Sequence, residues 1–160
     1  AYFSPPRLVS VTVPLGMYGN QGGVWMSIKW TPDLAVGVSL IDEQHKELFA
    51  KINELIEACN RGKGKDEVAK TIEYLRSYVV FHFRDEQNLM QQNDFPEYDQ
   101  HKALHDAFVE GLKQLSSELD EKGPGLSLVL KTNRIVVDWL VNHINRKDKV
   151  FGEFMGGKNS

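Results

Sequence analysis

Four stretches of this chain repeat apolar residues at the three-to-four spacing of a helix, and each carries histidine on that same apolar side. The histidines involved are His45, His82, His101, His105 and His143, which are all the chain has. An imidazole or carboxylate buried without a partner is strongly unfavourable. A chain that puts every histidine on a face it must bury therefore has to give them something to bind. Any single histidine is more simply read as an ordinary core or surface residue, but five with none left over are not. Positions four apart lie on one face of a helix and can aim at one target. His82 with Glu86 and His101 with His105 meet that condition. His143 and Asp148 are five apart, so a local bulge, a frayed last turn or a reaching carboxylate is needed, and the sequence does not choose. Imidazoles mixed with carboxylates suit iron, with zinc, manganese and copper as competitors. Five imidazoles and two carboxylates exceed the four ligands zinc normally takes, which favours a pair of ions.

The first helix is expected from Ile41 to about Asn60, carrying His45, Leu48, Ile52, Leu55 and Ile56, and Arg61-Gly-Lys-Gly-Lys ends it. Asp66 is a candidate cap for a second, with Val68, Ile72, Leu75, Val79 and His82 on one face, running to about Gln92. Pro96 disfavours a helical conformation at Phe95, so Asn93-Asp-Phe-Pro should break the chain before a third helix from about Glu97 to Leu119. Lys122-Gly-Pro-Gly is a turn signal, and a fourth helix from about Ser127 carries Leu130, Val136, Trp139, Leu140, His143 and Ile144 toward Gly156. Short connections favour antiparallel neighbours. The expected architecture is all-α, an up-down-up-down four-helix bundle with its ligands facing inward.

At 160 residues and 41% hydrophobic content the chain can bury one real core and is short for two. A net charge of −3 gives no electrostatic footprint for nucleic acid, and no run of about 18 apolar residues offers a membrane span. A soluble, cytoplasmic protein is expected. Cys59 is the lone cysteine and makes no internal disulfide, so a reducing compartment is permitted and a small buried residue is its simplest role. Residues 1–25 are rich in Gly and Pro and unlike the rest, with a short strand expected at 8–13 and a loop at 16–23. They are read as an extension or an appended segment. The helical domain is placed at 26–160, with Met26 as the expected natural start.

Taken in order, Val-Gly-Val at 36–38, Ile41-Asp-Glu-Gln-His-Lys, His82-Phe-Arg-Asp-Glu86, His101 with His105, and Trp139-Leu-Val-Asn-His-Ile followed by Asp148 resemble the hemerythrin family. The likeness is strongest to its bacterial members, spans roughly 30–148, and is specific because all the motifs occur in order with matching spacings. It implies a non-haem di-iron centre with an oxo or hydroxo bridge. His101, His105 and His143 would bind one iron and His45 and His82 the other. Glu86 and Asp148 would span the pair. The second iron would keep an open position for dioxygen, walled by Phe83, Trp139, Leu140 and Ile144. One departure is Gln87, where bacterial members often carry a second acid; metal binding should not suffer. Asp42 belongs to the family pattern and reads as a cap or an outer partner of the site, while Trp30 and Asp33 read as packing and capping ahead of the first helix.

Reversible dioxygen binding, as carrier, store or sensor, is the preferred function. The alternatives are a di-iron enzyme (oxidase, peroxidase or nitric oxide reductase) and a redox- or oxygen-sensing module of a signalling protein, with any electron donor or signalling partner unspecified. Di-iron oxidases of the ferritin type use paired Glu-x-x-His repeats and four carboxylates, and no Glu-x-x-His occurs here. A histidine-rich shell supplies less negative charge and should stabilise high oxidation states poorly, which favours binding over oxidative chemistry. No P-loop, Gly-x-Ser-x-Gly or dinucleotide fingerprint is present.

Overall fold

The computed structural model describes residues 27–158, so the strand and loop expected within 1–25 lie outside the described residues. Helix α1 spans Ser39–Asn60, α2 Gly64–Gln92, α3 Tyr98–Lys122 and α4 Leu126–His143. A π-helical turn, Ile144–Asp148, then continues directly into α5, Lys149–Lys158. No strand occurs among the described residues, and none of their helices is long and apolar enough to cross a membrane.

The connections at 61–63, 93–97 and 123–125 are short enough to reverse the chain each time. Cross-helix contacts confirm the antiparallel sense. Gln44 near the start of α1 meets Asp85 late in α2, Arg76 of α2 meets Ser116 late in α3, and Glu118 of α3 meets Lys131 early in α4. The α3–α4 reversal uses Gly123 at φ 71°, a left-handed conformation that glycine adopts without a Cβ clash. Asp66 falls in the first turn of α2 rather than capping it, since the helix begins at Gly64 and its N-terminal position, Lys63, makes no side-chain cap bond.

The main core runs down the bundle axis through Ile52, Leu55, Ile72, Leu75, Leu112, Leu128, Val136 and Leu140. A smaller one, Met90, Phe95 and Phe151, seats α5 against the α2–α3 turn. The segment ahead of α1 is tied down twice. Asn53 pairs with the backbone of Ile28 through both amide atoms, at 2.9 and 2.7 Å. Asp42 accepts from the N–H groups of Val36 and Gly37 at 2.7 and 3.1 Å, reaching back from the first turn of its helix. Asp42 is thus a fastener for the Val-Gly-Val loop. Trp30 packs on the core under the Lys46 ammonium, 4.7 Å from the ring, while Asp33 sits in a 3-10 turn at Pro32–Leu34 with no capping bond from Thr31 ahead of it. Gly152 lets that loop lie directly on α5: a Cβ there would stand 2.0 Å from the Val36 carbonyl oxygen.

Candidate metal centre

All seven sequence-named ligand candidates are buried at one end of the bundle, none more than 5% exposed. The Nε2 atoms of His101, His105 and His143 form a triangle with sides of 3.2, 3.0 and 3.0 Å. An imidazole nitrogen either donates or accepts a hydrogen bond, so one edge of such a triangle must set like against like. A shared cation satisfies all three. Two nitrogens about 2.1 Å from one ion and at right angles to it would stand about 3.0 Å apart, which matches the triangle.

The carboxylates complete the arrangement. Glu86 Oε2 lies 3.4 Å from His101 Nε2 and 3.2 Å from His105 Nε2. Asp148 turns Oδ1 toward His101 and His143, at 3.2 and 3.0 Å, and Oδ2 toward His45 Nε2, at 3.2 Å. Despite these separations, none of the four carboxylate oxygens and neither ring nitrogen of His45 has a hydrogen-bonding partner in acceptable geometry. The atoms converge on shared centres instead of pairing with one another. His45 and His82 meet edge to face at 5.0 Å on the far side of Asp148. The donor set therefore divides into a three-histidine and a two-histidine group, with Asp148 reaching into both. Buried polar atoms left without partners are rare in native proteins, and metal binding accounts for these.

The π turn solves the five-residue spacing. Its i→i+5 bonding brings Asp148 round under His143, so of the alternatives open from sequence the local bulge is the one used.

Electrostatics of the protein by itself concentrate negative charge at this cluster. Burial raises the Glu86 carboxyl and so does Asp148, but His101, His105 and His82 outweigh them and hold it at about 2. Burial opposes ionisation of Asp148 too, yet His143, His101 and His45 keep it well below the usual carboxylate range. Burial lowers His101 while Asp148 and Glu86 raise it further, to about 9. Burial dominates at His82, which falls to about 4, and also lowers His105. Two anionic carboxylates and a neutral His82 ring suit a cation; against the lowering by burial, Asp148 and Glu86 also raise His45 and His101, so an arriving metal would displace protons from those rings.

Outside the ligands, Phe83 stacks on His105 with ring centres 3.8 Å apart, and Trp139 stacks on His143 at 4.2 Å. Leu140 and Ile144 are fully buried in the same core cluster. Trp139 is only partly buried and lines a surface groove with Leu104, Asn142 and Arg146. Gln87, the departure noted in the sequence, and Gln44, inside the first ligand motif, both reach ligand histidines. Gln44 turns its acceptor oxygen, Oε1, to His82 Nδ1 at 2.7 Å, whereas Gln87 turns its donor nitrogen, Nε2, to His105 Nδ1 at 3.0 Å. A histidine that gives one ring nitrogen to a metal needs an acceptor for the other. That requirement, applied to the residues beside each ligand, is the signal that would have found Gln44.

A family profile described as the Hemerythrin HHE cation binding domain matches residues 36–154. The bacteriohemerythrin of Methylococcus capsulatus (strain Bath) is 34% identical over 124 residues, covering 77% of this chain and 92% of that protein. The myohemerythrin of Theromyzon tessulatum is 30% identical over 122 residues, covering 75% of this chain and 87% of that protein. A crystal structure of a hemerythrin mutant superposes with a TM-score of 0.70 at 32% identity, covering 80% of this chain and 97% of that one.

Proposed function

The chain belongs to the hemerythrin family, and from that premise we propose that it binds dioxygen reversibly at a non-haem di-iron centre held in the core of its bundle. The observation that supports this most is the seven-residue donor set itself: three imidazole nitrogens in a triangle, two more on the other side, and two ionised carboxylates with no other partner. His101, His105 and His143 would hold one iron, His45 and His82 the other, and Glu86 and Asp148 would be shared. When bound, the iron pair supplies one electron from each metal and an open position where dioxygen can be taken up and returned.

The chain's own residues govern whether that exchange stays reversible. Five neutral ligands against two anionic ones give less negative charge than a carboxylate-rich site, which disfavours high oxidation states. Phe83, Leu140 and Ile144 would wall the pocket with apolar surface and restrict water and protons, whose access would let reduced oxygen leave and strand the metals oxidised. Trp139 closes the outer side of His143. Binding, in a carrier, store or sensor, is preferred over an oxidase, peroxidase or nitric oxide reductase on these grounds.

The same reading makes 26–160 the functional unit and 1–25 an extension, a division supported by a family match that begins at residue 36. A cytoplasmic location is part of it, compatible with the unpaired Cys59. Anaerobic reduction of the iron-loaded protein followed by air tests the proposal. A visible colour that appears with oxygen and fades under vacuum, over repeated cycles, is expected. Irreversible oxidation with release or consumption of peroxide would move the assignment to an enzyme or a redox sensor.

A further inference from the structure

Of the two glutamines that face ligand histidines, one is oriented from outside. Gln44 is 7% exposed and its side-chain amide is held at both ends: Oε1 faces His82 Nδ1 at 2.7 Å, and Nε2 donates to Asp85 Oδ2 at 2.9 Å. The opposite orientation would put an amide oxygen against a carboxylate, two acceptors with no proton between them. Asp85 therefore fixes which way the amide points. With Oε1 toward the ring, Nδ1 of His82 must carry the proton and its Nε2 lone pair must face the metal centre. Gln44 is held further by the Tyr78 hydroxyl, which donates to its backbone carbonyl. Asp85 in turn receives Arg84 Nε and Nη2 on its other oxygen, at 3.2 and 3.0 Å, and its side chain is 23% exposed.

We propose that Asp85 is a positioning residue for the second metal: by orienting Gln44 it sets the tautomer and strengthens the donor power of His82 from the edge of the protein. This rests on the di-iron reading only for the identity of the metal. A carboxylate-anchored amide is a better acceptor than a free one, and a ring whose far N–H is firmly accepted is a stronger ligand. Gln87 presents its amide nitrogen, not its oxygen, to His105 Nδ1, so His105 lies outside this relay and serves as an internal control.

The test is Asp85→Ala, with Asp85→Asn and Arg84→Ala alongside, first checked for native helix content and thermal unfolding. In the zinc-loaded, diamagnetic protein, proton–nitrogen correlation of labelled histidine should show the His82 Nδ1–H exchanging at least about tenfold faster in Asp85→Ala, with His105 unmoved. Ferrous iron binding, by anaerobic competition with a chelator, should weaken about tenfold, the lower end of what outer partners of metal ligands contribute. Asp85→Asn, neutral and offering a donor as well as an acceptor, no longer excludes the flipped Gln44 and should recover only part of both signals, and Arg84→Ala should change neither, because its pair is exposed. An unchanged His82 N–H in Asp85→Ala, or equal changes at His105, would overturn the proposal. A wild-type chain that takes zinc but not iron would count against the di-iron reading and leave the Asp85 result standing.

Discussion

Replacing Gly152 with alanine probes the contact that closes the bundle over its metal end. The new Cβ would meet the Val36 carbonyl oxygen at 2.0 Å and the Val36 carbonyl carbon at 2.8 Å, where real Cβ contacts stay above 3.0 Å. One side has to retreat by at least 1 Å at the oxygen. Helix α5 is pinned by fully buried Phe151, which meets Phe95 edge to face at 5.2 Å, so the loop at 35–38 should give way. Moving it strains the two bonds from Val36 and Gly37 to Asp42 and exposes Val36, now 5% accessible. Overpacking of this kind costs about 1–3 kcal/mol and a weakened bond to a charged acceptor about 1 kcal/mol more, for a total of about 2–4 kcal/mol. For a domain of this size that lowers Tm by roughly 6–12 °C. Calorimetry or thermal circular dichroism on the iron-loaded protein reads it directly. Because α5 stays, Asp148, one turn before Gly152, should keep its place and the iron content should not fall. A Tm within about 1 °C of wild type would refute the close approach. Loss of iron in parallel with stability would show that the helix retreats instead.

Asp42→Ala should destabilise by about 1–3 kcal/mol in urea unfolding by freeing the same loop. Combined with Gly152→Ala it should cost less than the sum of the two, since both variants release one element. His105→Ala removes one corner of the nitrogen triangle, and anaerobically reconstituted protein should then hold fewer than two irons per chain by elemental analysis, with lower thermal stability because binding energy is also folding energy. Retention of both irons would sink that ligand assignment. Leu140→Ala opens a cavity in the apolar wall at a cost of about 2–5 kcal/mol. It should also speed loss of the oxygenated colour in air severalfold, and an unchanged rate would remove Leu140 from the pocket.

The four helices were legible because their apolar residues repeat with the helical period and because Gly and Pro punctuate the gaps. Ile52, Leu55, Ile72 and Leu75 sit where that period puts them. The metal centre was legible for a related reason. Histidines confined to core-facing positions can be reconciled with burial by converging: Glu86, His101, His105, His143 and Asp148 bring ligand atoms within 4.8 Å of one another, and His45 and His82 adjoin them. Other features depend on three-dimensional detail that spacing does not encode. The five-residue gap between His143 and Asp148 admitted three local solutions, and only the backbone decides for the π turn. Asp66 had the chemistry of a cap, but the helix starts two residues earlier at Gly64. Gln44 and Gln87 are polar neighbours of ligands whose part is set by rotamer and by a partner helix. The need for glycine at 152 arises from a loop more than a hundred residues away in sequence, which no local pattern signals. Trp139 reads as core from its period, yet the structure leaves it partly exposed over His143.

The central claim is that one buried donor set holds a pair of irons, divided by Asp148 into a three-histidine and a two-histidine half. Anomalous diffraction at the iron edge from crystals of the loaded protein tests it most directly. The account predicts two peaks per chain, one among the Nε2 atoms of His101, His105 and His143 and one beside His45 and His82, with Glu86 and Asp148 between them. A single peak, or iron seated away from these residues, would contradict it.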